Sequence, residues 1–504
     1  MGLEIINKMI RTYFSFNEKN ISYMMNNPID CQQVILNNLL KKAAKTDWGK
    51  QYDYGSIKNQ DTFKSRVPIG DYQSLQPYIN RMILGEKNVL WHNTVKWYSK
   101  SSGTSSSKSK FIPVSNESLQ HCNYKGGGDS FTLYLNNRPD SKLFTGKYFS
   151  LTGTLHQFEN NVRAHCGDVS AILTNFAPFW VNYFKTPPTH IALMKNWDEK
   201  IESFAQCMKN QNVTGIAGVP SWILIILKHI LELKQAHTIN EVWTNLELFM
   251  HGGVNFSPYI EQYKLLIPSE KMYYQEIYNA SEGYFAAQDQ SHSKDMLLLL
   301  NNGIFYEFIP FQELGKENPM ALSIENVKVN EKYVMVISTN AGLWRYTIGD
   351  VIQFTSVRPY RIIINGRTSH YINAFGEELM MDNAEKALKT ACEKTAAEVE
   401  EYTVAPVYFQ SHAKAAHQWL IEFKRKPNNM ESFIGVLDAE LMQLNSDYES
   451  KRFQDILLQK PIVQEIASGT FIRWMASRGK LGGQFKIPRL SNNRDIADEI
   501  MQYE

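Results

Sequence analysis

Two stretches of this chain carry the local signature of an open α/β sheet. Gly215-Ile216-Ala217-Gly218-Val219-Pro220-Ser221-Trp222 leads into Ile223 to Leu233, and the whole reads as strand, turn and helix. Leu246-Glu247-Leu248-Phe249-Met250-His251-Gly252-Gly253 repeats the pattern, ending in a glycine pair on which a flat ring can lie against bare backbone. Such units in succession predict a largely parallel sheet, whose ligands bind beyond the carboxyl ends of the strands. At 504 residues the chain exceeds the size at which one hydrophobic core keeps growing, so two domains or more are expected.

A third stretch, Ser99-Lys100-Ser101-Ser102-Gly103-Thr104-Ser105-Ser106-Ser107-Lys108-Ser109-Lys110-Phe111-Ile112-Pro113, sets small residues and hydroxyls between an apolar entry and two lysines. Trp97-Tyr98 before it and Phe111-Ile112 after it read as strands, which makes the stretch the tip of a hairpin. Backbone N–H groups and hydroxyls at such a tip can surround one phosphate, and Gly103 permits a close approach. A Ser-rich flexible turn has the same composition. The loop is not of the GxxxxGK[ST] type, since no Gly-Lys-Ser/Thr ends it.

Two carboxylates stand out further on. Met272 to Gly283 reads as a strand running into a polar turn, with Glu282 among small residues. A carboxylate there can hold Mg²⁺, a hard cation that takes oxygen ligands and often bridges to phosphates, or can be an ordinary surface glutamate. Tyr333 to Thr339 and Leu343 to Phe354 read as paired strands around Asn340-Ala341-Gly342, and Asp350 interrupts the second. Such an aspartate can accept hydrogen bonds from a ribose diol or can serve the hairpin itself.

The remaining stretches read as scaffold. Val34, Ile35, Leu36, Leu39 and Leu40 have helical spacing, with Lys41, Lys42 and Lys45 towards the helix end. Pro68-Ile69-Gly70-Asp71-Tyr72 punctuates the chain before another helix, and Gly126-Gly127-Gly128 reads as a flexible connection or a site of close helix packing. The aromatic run Asn175 to Phe184 reads first as core. Beyond Gly366-Arg367-Thr368-Ser369 the composition becomes more charged; Asn428 to Asp447 and Asp455 onward read as helices, and Ser477 to Arg489 as a basic, glycine-rich loop. No HExxH, Cys/His cluster, GxSxG elbow or internal repeat occurs.

Composition narrows the partners. Lys+Arg 53 against Asp+Glu 51 leaves a formal charge of +2, without the footprint of a nucleic-acid or anionic-membrane binder. Five scattered cysteines without a CxxC, and no secretory leader, point to a reducing compartment. No apolar run reaches the ~20 residues that span a bilayer. A cytoplasmic protein acting on small molecules is the expectation.

Taken in order, these stretches resemble the auxin-responsive Gretchen Hagen family of acyl acid amido synthetases, within the adenylate-forming superfamily. Ser101-Ser102-Gly103-Thr104-Ser105 with Lys110 and Pro113 is similar to the family's nucleotide loop, Tyr278-Asn279-Ala280-Ser281-Glu282-Gly283-Tyr284-Phe285 to its second nucleotide motif, and Tyr346-Thr347-Ile348-Gly349-Asp350 to its third. Thr46-Asp47-Trp48-Gly49-Lys50, Gly218 to Trp222, Gly252 to Phe256 and Gly482 to Arg489 are similar too, so the resemblance covers nearly the whole chain. Ser107 stands where the family's loop usually has glycine, and Ser369 and Asn373 stand where the superfamily often has a hinge residue and a lysine.

The resemblance implies an α/β fold with a large N-terminal adenylate-forming domain of mostly parallel sheets and helices, residues 1–366, and a smaller mobile α+β domain, residues 367–504. It implies ATP and Mg²⁺ as cofactors, a carboxylic acid as substrate, an amine such as an amino acid as acceptor, and a monomer. The serine loop with Lys110 would hold the β- and γ-phosphates. Tyr278 would stack on adenine with Gly252 and Gly253 beneath it, Glu282 would bind Mg²⁺, Asp350 would accept the ribose hydroxyls, and Ser281 and Arg367 would complete the nucleotide site. Lys486 would reach the reacting centre, with Lys480 as the other candidate. Phe176, Phe179, Trp180 and Trp222 fit an aromatic or long apolar acyl group and fit a core equally. An acyl-CoA synthetase using a thiol, or a non-catalytic nucleotide-binding scaffold, are the alternatives.

Overall fold

The computed structural model of the chain describes residues 2–101, 110–158, 161–178, 181–254, 256, 259–314, 316–367, 371–408, 415–452, 457–478 and 487–504. The chain divides into two compact units, the first taking Met1–Ser101 and Lys110–Thr368, the second built on Ser369–Glu504.

The first unit holds β1 (Trp97–Ser101), β2 (Lys110–Val114), β3 (Lys147–Ser150), β4 (Leu155–Phe158), β5 (Asn161–Gly167), β6 (Lys185–Thr186), β7 (Val213–Gly218), β8 (Leu248–His251), β9 (Tyr273–Ala280), β10 (Gly283–Ala287), β11 (Met296–Leu298), β12 (Ile304–Pro310), β13 (Lys332–Thr339), β14 (Tyr346–Val357) and β15 (Tyr360–Arg367). Among the described residues the large sheet runs β12-β13-β14-β15-β11-β10-β9-β8-β7-β3-β6, and a smaller one runs β2-β1-β5-β4. The fold is α/β with a large N-terminal part, as expected, but the large sheet changes character at β9. From β9 to β6 every pairing is parallel; from β9 to β12 every pairing is antiparallel. The reason lies in the connections. Helix Pro220–Lys234 carries the chain back from β7 to β8, whereas only Ser281-Glu282 separate β9 from β10 and only Arg358-Pro359 separate β14 from β15, and hairpins of that length force antiparallel neighbours.

Within the antiparallel half, β12 and β13 are buried on both faces, which is why they are almost continuously apolar. The N-terminal helices cover it. Helix Pro28–Ala43 buries Ile35, Leu36, Leu39 and Leu40 while Val34 faces solvent. Its buried Gln32 donates to the carbonyls of Leu300 (2.8 Å) and Ile304 (2.9 Å) and accepts from the Tyr306 N–H (2.8 Å), so a polar side chain ties helix to sheet. Trp48, Trp91 and Trp344 fill the same core. Gly126 lies inside helix Lys125–Asn137, where an added Cβ would stand 2.6 Å from the Tyr284 ring; it serves close packing and not a flexible connection.

The second unit contains β16 (Tyr371–Ile372), β17 (Leu379–Met380), β18 (Glu398–Val407), β19 (Ala416–Arg425) and β20 (Ile462–Ile466). Its sheet is β18-β19-β20, with helices Met381–Thr395 and Met430–Leu444 among its helical elements. The helix expected from Asp455 onward is instead β20 and, later, helix Thr470–Ser477. β20 is an edge strand in parallel register with β19 (Gln418 opposite Ile462), and only Ile466 of it is buried, so it has no apolar alternation to read. Among the described residues no helix is long and apolar enough to cross a membrane.

Candidate active site

The carboxyl end of β8 meets β9 at a glycine. His251 is in register with Glu276, and a Cβ on the next residue, Gly252, would stand 2.4 Å from the Ile277 carbonyl oxygen, a backbone atom that cannot yield. Gly253 follows at φ +83°, which favours glycine. The approach of the two strands therefore requires glycine at 252, and the positive φ favours it at 253; Gly252 meets β9 one residue before Tyr278.

The β9–β10 hairpin places Ser281 and Glu282 in its two-residue turn, with Ala280 opposite Gly283. Tyr278 is nearly buried; its ring centroid lies 4.8 Å from that of Phe285 at an interplanar angle of 54°, and its hydroxyl donates to Asp350 Oδ2 at 2.5 Å. Asp350 follows Gly349, at φ +92°, and sits opposite Arg367 in the β14–β15 ladder. At the start of β14 the buried Tyr346 donates its hydroxyl to Glu282 Oε1 at 3.3 Å. Thus the second and third stretches, far apart in sequence, are linked by two tyrosine–carboxylate hydrogen bonds.

Ser101 and Lys110 face each other as the last register pair of the β1–β2 hairpin. Lys110 Nζ lies 5.9 Å from the centroid of the Tyr72 ring, and the Tyr72 hydroxyl accepts the Phe111 N–H at 2.9 Å. Ser102, Gly103, Thr104 and Ser105 lie outside the described residues, as do Ser107, Phe179, Trp180, Ser369, Lys480 and Lys486. Trp222 is buried and stacked on Trp197 at 4.4 Å; Phe176 is more exposed and meets Trp97 edge-on at 5.0 Å.

Several groups near the carboxyl ends of the parallel strands escaped sequence reasoning. Desolvation pushes the Glu276 carboxyl up to about 7. The neighbouring His251 is buried, stacked on Phe256 at 3.9 Å, and pushed down to about 3 by loss of water; its Nδ1 has no hydrogen-bond partner among the described residues. Lys200, fully buried, donates to the carbonyls of Thr152 (2.6 Å) and Gly153 (3.0 Å) and lies 4.8 Å over the Trp197 ring. Burial lowers its ammonium to about 8, with Asp168 opposing the shift. Glu276 was detectable as a charge inside the apolar run Tyr273 to Tyr278. Lys200 sits in an amphipathic helix where a surface lysine looks the same. Among the described residues no group of three or more His, Cys, Asp or Glu could hold a metal by itself.

The fold, a mixed sheet whose glycine-ended parallel strands meet a hairpin bearing Glu282, is of the class found in acyl acid amido synthetases and acyl-CoA ligases. It superposes on a GH3.15 acyl acid amido synthetase with a TM-score of 0.61 at 17% identity, covering 98% of this chain and 96% of that one. A 2-hydroxyisobutyryl-CoA ligase gives 0.57 at 11% identity, covering 94% and 91%; at these identities the likeness is one of fold. The GH3 family N-terminal, central and C-terminal domains match residues 17–272, 297–367 and 382–495, and the chain belongs to the GH3 family. Among its relatives are the indole-3-acetic acid-amido synthetase GH3.3 of Arabidopsis thaliana, 22% identical over 93% of this chain and 90% of its own length, and the jasmonoyl-L-amino acid synthetase JAR4 of Nicotiana attenuata, 24% identical over 91% and 90%.

Proposed function

We propose that the chain is an acyl acid amido synthetase, which activates a carboxylic acid with ATP and transfers the acyl group to an amino acid. The carboxylate oxygen bonds to the α-phosphorus and pyrophosphate leaves. The amine nitrogen then attacks the acyl carbonyl, AMP leaves with the former carboxylate oxygen, and the nitrogen loses a proton. The observation that carries this reading is the pairing of Tyr278 with Asp350 and of Tyr346 with Glu282 beside the Gly252 backbone.

In this reading Gly252, Gly253 and Tyr278 bracket the adenine, Asp350 with Ser281 and Arg367 holds the ribose side, and Ser101 to Ser105 with Lys110 receive the phosphates. Glu282 is the single carboxylate of its two-residue turn, which fits Mg²⁺ held by one carboxylate and substrate phosphates and not by a protein cage. Bound there, the ion would offset the charge of the phosphates. Lys486 as the source of positive charge in adenylation rests on the resemblance alone; Lys486→Ala slowing adenylation where Lys480→Ala does not would support it. Relatives named for indole-3-acetic acid and jasmonoyl conjugation support an aromatic or long apolar acid, and five thiols free of disulfides support a cytoplasmic setting.

The test is ATP–pyrophosphate exchange with a panel of aromatic and long-chain acids, followed by partition of the preformed adenylate between amino acids and CoA. Exchange followed by amide formation is expected. Thioester formation in preference to amide would move the chain to the acyl-CoA synthetases, and no exchange with any acid would leave only a nucleotide-binding scaffold.

A further inference from the structure

The segment between helix Gln60–Arg66 and helix Tyr72–Ile83 reads in sequence as punctuation, yet it touches two of the three nucleotide stretches. At one end, Gly70 lies along the start of β14: its N–H donates to the Arg345 carbonyl (3.0 Å), and its carbonyl accepts from both the N–H (2.8 Å) and the Oγ1 (2.9 Å) of Thr347. Asp71 then caps the following helix, accepting the Ser74 N–H at 3.0 Å. At the other end, the Tyr72 hydroxyl holds the Phe111 N–H, and its ring lies beneath Lys110, where the serine loop rejoins β2.

The β14 end of this connection is clamped. Arg345 is a buried non-glycine residue at φ +40°, a region that costs free energy unless the surroundings enforce it. Its guanidinium pairs bidentately with the buried Glu307 of β12, at 2.8 and 2.9 Å. The same group donates to the carbonyls of Lys64 (2.8 Å) and Val67 (2.6 Å), at the end of helix Gln60–Arg66. Arg345 therefore holds both the segment and the backbone that presents Tyr346, whose hydroxyl reaches Glu282.

We propose that residues 67–72 form a strut between the Lys110-Phe111 start of β2 and the third nucleotide stretch, with Arg345 and Tyr72 as positioning residues that fix Lys110 relative to Glu282 and Asp350 for ATP. The proposal rests on the ATP-dependent reading given above. A triphosphate spans more than one of these stretches, so a strut that fixes their spacing pre-orders the site and avoids an ordering cost on binding.

The experiment is a double-mutant cycle in the full chain with ATP–pyrophosphate exchange as readout. Tyr72→Phe keeps the ring and removes the acceptor for Phe111; Thr347→Val removes one of the two bonds to Gly70. Each is expected to raise KM for ATP about fivefold, as loss of one ordinary hydrogen bond does, with a smaller fall in kcat and little change in melting temperature. Because both act through one strut, the double variant should be little worse than the worse single variant. Multiplying effects on KM would overturn the coupling, and so would variants that lower melting temperature or kcat and leave KM unchanged. Wild-type protein that exchanges pyrophosphate while Tyr72→Phe matches it sinks the strut alone; wild-type protein that exchanges with no acid sinks the strut together with the reading beneath it.

Discussion

The hydroxyl of Tyr278 donates to Asp350 Oδ2 at 2.5 Å, joining the end of β9 to the middle of β14. The bond ties the two side chains proposed above to meet adenine and ribose to one another. Tyr278→Phe keeps the ring and leaves a nearly buried carboxylate with one donor fewer. A hydrogen bond to a charged group is worth roughly 1.5–3 kcal/mol, so KM for ATP in pyrophosphate exchange should rise about tenfold or more. An unchanged KM would detach this bond from nucleotide binding.

Asp350→Ala should weaken ATP much more than 2′,3′-dideoxy-ATP, because only the former has the hydroxyls that lose an acceptor. The comparison is made by competition against pyrophosphate exchange. Equal losses for the two nucleotides would reject the ribose role.

Glu282→Gln keeps the shape of the turn and an oxygen for Tyr346 while removing the charge. If Glu282 holds Mg²⁺, the Mg²⁺ concentration for half-maximal exchange should rise roughly tenfold or more, since a charged oxygen ligand is lost from a hard cation. The melting temperature should move little, the residue being in a partly exposed turn. An unaltered Mg²⁺ titration would return Glu282 to the role of a turn residue.

Much of the scaffold was legible because it is written in local sequence. The runs around Gly218 and Gly252 announced parallel strands ending in turns, and Asn340-Ala341-Gly342 announced a hairpin. The antiparallel half of the large sheet was less legible, because strands buried on both faces, such as β12 and β13, have no alternation. What joins Tyr278 to Asp350, Arg345 to Glu307, and Tyr72 to Phe111 is strand register between distant segments, and nothing in a short window of sequence encodes it. Tyr72 reads as the end of a punctuating stretch before a helix, and Arg345 as part of the strand Leu343 to Phe354; only the fold gives each a partner. The serine loop is the converse: its composition fits an anion cradle and a flexible turn alike, and the structure describes only its two ends, Ser101 and Lys110.

Desolvation pushes the Glu276 carboxyl from an ordinary 4.5 up to about 7. A glutamate with a raised folded-state pKa binds its proton more tightly in the folded chain than in the unfolded one. Between about pH 4.5 and pH 7 the folded state therefore holds more protons, and stability rises as pH falls across that window. Above pH 7 the charge is present in both states and its burial is a penalty. Glu276→Gln removes the charge at every pH and keeps a similar shape, so the variant should gain at high pH and lose that gain in acid. At 1.36 kcal/mol per pKa unit, the advantage at pH 8 is at most about 3 kcal/mol, and near pH 5 most of it should be gone. Urea unfolding of both proteins at the two pH values measures this directly. A gain of the same size at both would show that the carboxyl does not titrate between them, and a loss at pH 8 that its surroundings favour the charged form; either result would show that desolvation does not govern its titration.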